Sequence, residues 1–260
     1  MDDHKKFVEN GSAEVARQGQ NSAFQKLSID WMNESIKENY TYHFEWLGRP
    51  IIQMPQDMIG LQQVIWTTHP DLIIETGVAR GGSLIFYASL LELLETCGIS
   101  SGTKVLGIDI DIREHNRLAI EKHPLSKRIE MIQGSSVDVD TVDKVKQIAK
   151  KHKKIMVVLD SNHTHEHVLQ ELELYGPLTT KGCYCVVLDT VINDLNDSFF
   201  QEKSWGNSNN PKTAVIEFLK RIEGNKNHEK ENIKVDFEVD HQMTDSLMLT
   251  VAPNGFLKRV

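Results

Sequence analysis

From residue 72 onward the chain alternates between short apolar runs and longer stretches with helical spacing. The apolar runs at 72–75, 104–109, 129–132, 154–159 and 183–188 have the length of buried strands. Between them, 82–96, 114–122, 139–151 and 165–175 repeat apolar residues at the three- and four-residue spacing of helices with one packed face. Strands that alternate with helices build βαβ units and a parallel sheet. Two more extended segments, 234–240 and 245–251 with a turn between, predict a strand pair that gives the sheet a mixed edge.

The pattern is weaker elsewhere. Residues 1–30 are polar with a faint helical repeat through Phe24, Leu27, Ile29 and Trp31. The expected organisation is a helical or partly ordered extension over 1–40 and one domain over 41–260. Residues 40–55 are aromatic and turn-rich, and read as a segment that packs over something rather than as a regular element. Asp57 is placed to cap a helix running to Thr67. The irregular stretch Asn193 to Pro211 is long for a loop in a compact domain, which points to function or mobility. Residues 220–234 are densely charged and predict a solvated helix end and loop.

Composition narrows the classes. The net charge of −8 opposes general nucleic-acid binding, which needs a basic face. Three cysteines, Cys97, Cys183 and Cys185, are too few for a disulfide framework, and Cys183 and Cys185 share one face of a buried strand, so a reducing, cytoplasmic setting is expected. Met1 to Gln20 lacks the apolar core of a signal peptide, and no apolar run approaches the roughly 20 residues of a membrane span.

The chemistry begins at Ile73-Ile74-Glu75-Thr76-Gly77-Val78-Ala79-Arg80-Gly81-Gly82-Ser83. A strand ends in an acid and enters a glycine turn, where Gly77, Gly81 and Gly82 let a ligand approach the backbone. Glu75 would repel a pyrophosphate and attract an amino group or a sulfonium. The spacing fails G-x-G-x-x-G, and no Gly-Lys-Ser/Thr follows, which disfavours a dinucleotide site or a P-loop. An ordinary strand-turn-helix is the alternative.

Ligands of an open parallel sheet bind at the carboxyl ends of its strands. The five predicted strands end in Glu75, in Asp109-Ile110-Asp111, in Gly134-Ser135-Ser136, in Asp160-Ser161-Asn162-His163 and in Asp189-Thr190. An acid after the second strand can accept both hydroxyls of a ribose; Asp109 is the first choice and Asp111 the second, with a helix cap as the alternative for Asp111. Ser135, Ser136 and Asp138 suit either an adenine edge or a turn and cap. Asp160 and Asp189, on neighbouring strands, suit a hard cation such as Mg²⁺, or else cap the following helices. Of the alternating His163, His165 and His167, His163 is the candidate general base, because an imidazole exchanges protons near neutral pH. The other two read as helix-start residues, and a histidine-based zinc site is the weaker reading, since alternate residues entering a helix point apart.

Together these motifs resemble the cephalosporin hydroxylase / rhamnosyl O-methyltransferase family. The resemblance rests on Glu75 to Ser83, on Gly107-Ile108-Asp109-Ile110-Asp111-Ile112-Arg113, on Gly134-Ser135-Ser136 and on Leu159-Asp160-Ser161 with the three histidines. Thr250-Val251-Ala252-Pro253-Asn254-Gly255-Phe256 extends it, so that it covers roughly 40–260. It implies a Rossmann-like α/β fold of the class I methyltransferases: a three-layer sandwich with a mostly parallel sheet and an antiparallel C-terminal edge strand. It implies S-adenosylmethionine and Mg²⁺ or a similar divalent ion, with a hydroxyl acceptor on a sugar, a glycan or a small natural product. The methyl donor would then lie against Glu75, Gly77, Ala79, Gly81 and Ser83, with Asp109, Asp111, Ser135 and Ser136 around its adenosine. Asp160 and Asp189 would hold the metal, Asp160 and His163 being the catalytic pair. In the similar catechol O-methyltransferase group a lysine occupies the place of His163. The family often has Glu-Asp after the fifth strand; here Leu188-Asp189 stands there, which leaves Thr190 or Asp194 as further donors. The alternatives are a non-catalytic S-adenosylmethionine-binding protein, favoured by Leu188, and a hydroxylase with an iron site drawn from His163, His165 and Asp160. The N-terminal 40 residues are the candidate surface for a homo-oligomer.

Overall fold

The computed structural model describes residues 2–226 and 235–260. Two helices, α1 (Asp3–Gly19) and α2 (Ser22–Lys37), lead into a short 3-10 turn and the hairpin of β1 (Phe44–Trp46) and β2 (Arg49–Ile51). After α3 (Pro55–Thr68) the alternation is regular: β3 (Leu72–Thr76), α4 (Gly82–Thr96), β4 (Lys104–Asp109), α5 (Glu114–Glu121), β5 (Ile129–Gln133), α6 (Val139–Ala149), β6 (Ile155–Leu159), α7 (His165–Tyr175) and β7 (Tyr184–Val187). The chain closes with α8 (Pro211–Lys226), β8 (Phe237–Val239), α9 (His241–Leu247) and β9 (Phe256–Arg259).

The large sheet has seven strands in the order β5-β4-β3-β6-β7-β9-β8. The first five are parallel neighbours, and β9 runs antiparallel between β7 and β8. The antiparallel strand is therefore second from the edge, and β8 is the edge itself. Alternation along β3 sends Ile73 to one face of the sheet and Leu72 and Ile74 to the other. The first face is covered by α3, α4 and α5, the second by α6, α7 and α8. Each fully buried leucine or isoleucine in these layers contributes roughly 1.5–3 kcal/mol. The expected three-layer α/β sandwich is the observed fold.

Four expectations need correction. The segment 245–251 is not a strand: it contains the end of α9, and the last strand lies further on, at Phe256–Arg259. Apolar residues there pack as a helix end against the α3 and α4 layer, a choice short apolar runs leave open. The aromatic stretch 40–55 is partly regular, since it folds into the β1–β2 hairpin. Asp57 caps nothing: it lies buried inside the first turn of α3 and accepts hydrogen bonds from the Thr250 hydroxyl and from the Val251 N–H (2.8 Å). The predicted strand at 234–240 shortens to β8, and most of the charged stretch 220–234, with residue 234, lies outside the described residues. Among the described residues no helix is long and apolar enough to cross a membrane. All three cysteines are free, Cys183 and Cys185 being buried.

Candidate active site

The sheet's direction of connection reverses at β3, which pairs β4 on one side and β6 on the other. Backbone bonds extend the ladder past the strand ends: Gly77 N–H donates to Ile108 O (2.7 Å), Asp160 N–H to Thr76 O (2.9 Å) and Leu188 N–H to Leu159 O (3.1 Å). The polar residues that follow are thereby held along one edge, at the crevice where ligands of such sheets bind.

The turn after β3 is built for close approach. Gly77 has φ +93°, and a Cβ there would collide with the Asp160 carbonyl. A Cβ on Gly82 would collide with the Pro50 carbonyl, so glycine lets α4 start against the β1–β2 hairpin. Ala79 sits at φ +44°, a strained position for a residue with a Cβ. What holds it there is Asp109, whose Oδ2 accepts the N–H groups of Val78 (2.8 Å) and Ala79 (3.1 Å) while Oδ1 accepts that of Asp111 (2.9 Å). Asn116 adds a bond from its amide to Ala79 O (3.0 Å), and Arg49 spans from Asn116 to the Arg80 carbonyl. Arg49 and Asn116 were not legible as site residues, because nothing in their spacing ties them to residue 79.

Glu75 lies fully buried beneath this turn. Its Oε2 accepts the Ser83 hydroxyl (2.6 Å), its Oε1 has no partner in the protein, and burial pushes its carboxyl up to about 8. Glu75 thus supports the floor of the crevice rather than projecting into it.

Three cavities meet over this edge. A small one of about 40 Å³ is lined by Gln53, Gly77, Ala79, Gly82, Ser83 and Asp160. A second of about 110 Å³ lies between Asp109, Ile110, Ser135, Ser136, Asn162 and His167. A third of about 570 Å³ opens between Asp160, His163, Asp189, Tyr42, Phe199 and Trp205. Gly77 borders the first two and Asp160 the first and third, so the three lie side by side along the edge.

Asp160 and Asp189 face each other at the end of β6 and just beyond β7. Burial, reinforced by the Asp189 carboxylate and then by Glu75, raises the Asp160 carboxyl well above the usual range. Several carboxylates in a low-dielectric crevice make a site that a cation relieves. His163 lies beside Asp189: its Nδ1 is 3.4 Å from Asp189 Oδ2, and its ring meets Trp205 edge-on at 5.0 Å between centroids. Trp205 comes from the irregular 193–211 stretch, which Asn210 folds by donating to Gly206 O (2.9 Å) and Asn207 O (3.0 Å). α2 completes the wall of the large cavity with Met32, Ser35 and Ile36.

Other candidates separate from this group. His165 starts α7 and bonds Thr213 (2.8 Å), away from the carboxylates. His167 instead lines the second cavity, with its Nε2 3.0 Å from Ser136 Oγ and 3.2 Å from Ser161 Oγ, a role its helix-start position concealed. Thr190 is buried and donates to Pro253 O (2.9 Å), while Asp194 pairs with Lys212 (2.6 Å), so the polar atoms of both are engaged elsewhere. Leu188 packs into the core beside it. Among the described residues no three metal-binding side chains converge, so the iron set of His163, His165 and Asp160 is not assembled. Asp111 is exposed and lies 3.7 Å from Arg113.

Residues 38–260 match the rhamnosyl O-methyltransferase/CmcI family. The chain belongs to that family. The rhamnosyl O-methyltransferase of Mycobacterium tuberculosis H37Rv is 28% identical over 207 residues, 78% of this chain and 73% of the relative. The enzyme of that name from Mycobacterium leprae is 30% identical over 149 residues, 57% and 61% of the two chains. Among solved structures, apo CmcI superposes with a TM-score of 0.56 at 19% identity, covering 84% of this chain and 77% of its own. CmcI with Mg and SAM bound gives 0.54 at 18% identity over the same shares. Family membership bears out the expected enzyme class, an S-adenosylmethionine-dependent O-methyltransferase, and the CmcI likeness bears out the fold.

Proposed function

We propose that the three adjacent cavities hold S-adenosylmethionine, a divalent cation such as Mg²⁺ and a hydroxyl of a sugar, glycan or small natural product. The reading is carried by one observation: Asp160, Asp189 and His163 line a cavity that shares Asp160 with the pocket over the glycine turn. In this reading the adenosine takes the cavity of Asp109, Ile110, Ser135 and Ser136, where Ile110, 72% exposed, offers an apolar ledge for a base. Asp111 borders the same end. The amino-acid end takes the pocket of Gly77, Ala79 and Ser83, and Gly81 sets the start of α4. The acidic surroundings of the turn suit a cationic donor.

The donor set fits a hard cation, because it offers carboxylate oxygens that repel one another until one binds. Asp160 and Asp189 hold it; when bound, it lowers the pKa of a coordinated hydroxyl and orients the oxygen. His163 would take the hydroxyl proton at Nε2, with Asp189 Oδ2 3.4 Å from Nδ1 to stabilise the ring once it is protonated. S-adenosylmethionine, when bound, would supply the methyl group and a thioether leaving group, and the residues of the crevice would align the acceptor oxygen with it. Trp205, Tyr42 and Phe199 give the acceptor a largely apolar, aromatic wall that suits the C–H face of a sugar ring and excludes water. We read residues 1–40 as an extension to a catalytic unit over 41–260, to which α2 lends one wall.

The names of the mycobacterial relatives support a sugar acceptor. The test is transfer of a deuterated methyl group from S-adenosylmethionine to a panel of rhamnosides and phenolic glycosides, read by mass spectrometry with and without Mg²⁺. Mg²⁺-dependent mass gain on a glycoside supports the reading; gain that is unchanged after chelation removes the metal from it.

A further inference from the structure

Gln53 follows β2 and is held against the sheet because the hairpin packs on Gly82. It is only 3% exposed, yet neither Oε1 nor Nε2 has a hydrogen-bond partner. A buried amide left unpaired in this way is uncommon and calls for an explanation. Two more unpaired atoms lie behind it, Tyr87 Oη on α4 and Glu75 Oε1 at the end of β3. Tyr87 stands between the other two, near enough to interact with both the Gln53 amide and the Glu75 carboxyl, though without full hydrogen-bond geometry to either. Of the three, Gln53 is the residue that borders the cavities: it lies in the wall of both the small pocket over the glycine turn and the large cavity beside it, with its amide just beneath the surface.

An amide in this place has a complementary ligand. Oε1 accepts from an ammonium, and Nε2 donates to a carboxylate. The amino-acid end of a sulfonium donor carries both groups on one carbon. We propose that Gln53 binds the amino-acid end of S-adenosylmethionine, with Tyr87 and Glu75 fixing its amide from behind, and so sets where the donor methyl meets the acceptor cavity. The inference rests on the donor site described above and adds a residue that recognises the half of the ligand the adenosine pocket does not touch.

The discriminating probes are S-adenosylhomocysteine, which keeps the amino-acid end, and 5′-methylthioadenosine, which lacks it. Calorimetry on the full chain and on Gln53→Met, a substitution of similar volume, is expected to show homocysteine-ligand affinity reduced about tenfold. Methylthioadenosine affinity should stay within about twofold of the wild type. Gln53→Asn keeps the amide but shortens it, and should give the same selective loss if Gln53→Met does not fold. Unchanged S-adenosylhomocysteine affinity, or equal losses for both ligands in a variant that melts like the wild type, would overturn the assignment. Wild-type protein that binds neither probe would instead overturn the donor site on which it rests.

Discussion

In the proposed mechanism Asp160, Asp189 and His163 would do separate work, and single substitutions test each part. His163→Ala removes the proton acceptor while leaving the glycine turn and Asp109 in place. Turnover is expected to fall at least about a hundredfold with S-adenosylhomocysteine affinity near that of the wild type. Turnover within a few-fold of normal would remove His163 from the role. Asp160→Asn should instead raise the Mg²⁺ concentration needed for half-maximal activity, a shift that titration at saturating donor reads directly. Asp160 and Asp189 were legible as candidates because each stands immediately after an apolar run, where an acid has no core function, and His163 because it follows Asp160 by three residues. Asp109 was legible as a site residue, but the structure shows how it acts on the turn: its oxygens are taken up by three backbone N–H groups. The contacts of Asn116 and His167 were hidden, because their partners come from other elements and only tertiary packing brings them together.

At the level of elements, the strand–turn–helix junctions carry the site, and glycine decides their geometry. Gly77→Ala would force a Cβ onto the Asp160 carbonyl at positive φ, parting β3 from β6 at the crevice. The expected result is loss of donor binding with a lowered melting temperature; normal affinity in a calorimetric titration would contradict this account of the turn. The loop that carries Trp205 depends on fully buried Asn210. Asn210→Ala should raise the acceptor KM several-fold and leave donor affinity unchanged, which initial-rate kinetics with both substrates varied would reveal. The regular βα units were readable because their apolar periods are long and clean. The C-terminal strand was misplaced because 245–251 and 256–259 are both short apolar runs, and pairing with β7 chooses between them.

Over the whole molecule, the crevice concentrates acid in the interior of a chain whose net charge is already −8. Glu75 and Asp57 are raised from ordinary carboxyl values to about 8 and about 7, and burial is the leading cause for both. A carboxyl whose folded-state pKa is raised keeps its proton in the native state after the unfolded chain has lost it. Its stabilising contribution is complete below pH 4 and is lost as pH climbs to about 8. The protein without ligands should melt at progressively lower temperature between pH 5 and pH 8, and Mg²⁺ should reduce that slope by compensating Asp160 and Asp189. Parallel melting curves with and without Mg²⁺ would count against the cation site.

The central claim is that the crevice over the glycine turn is the methyl-donor site, and calorimetry with S-adenosylmethionine tests it most directly, on the wild type and on Asp109→Ala with and without Mg²⁺. One-to-one binding to the wild type is expected. Affinity should be at least about tenfold weaker in Asp109→Ala, whose turn loses three charge-assisted bonds. No binding to the wild type under either condition, or equal binding to both proteins, would contradict the claim.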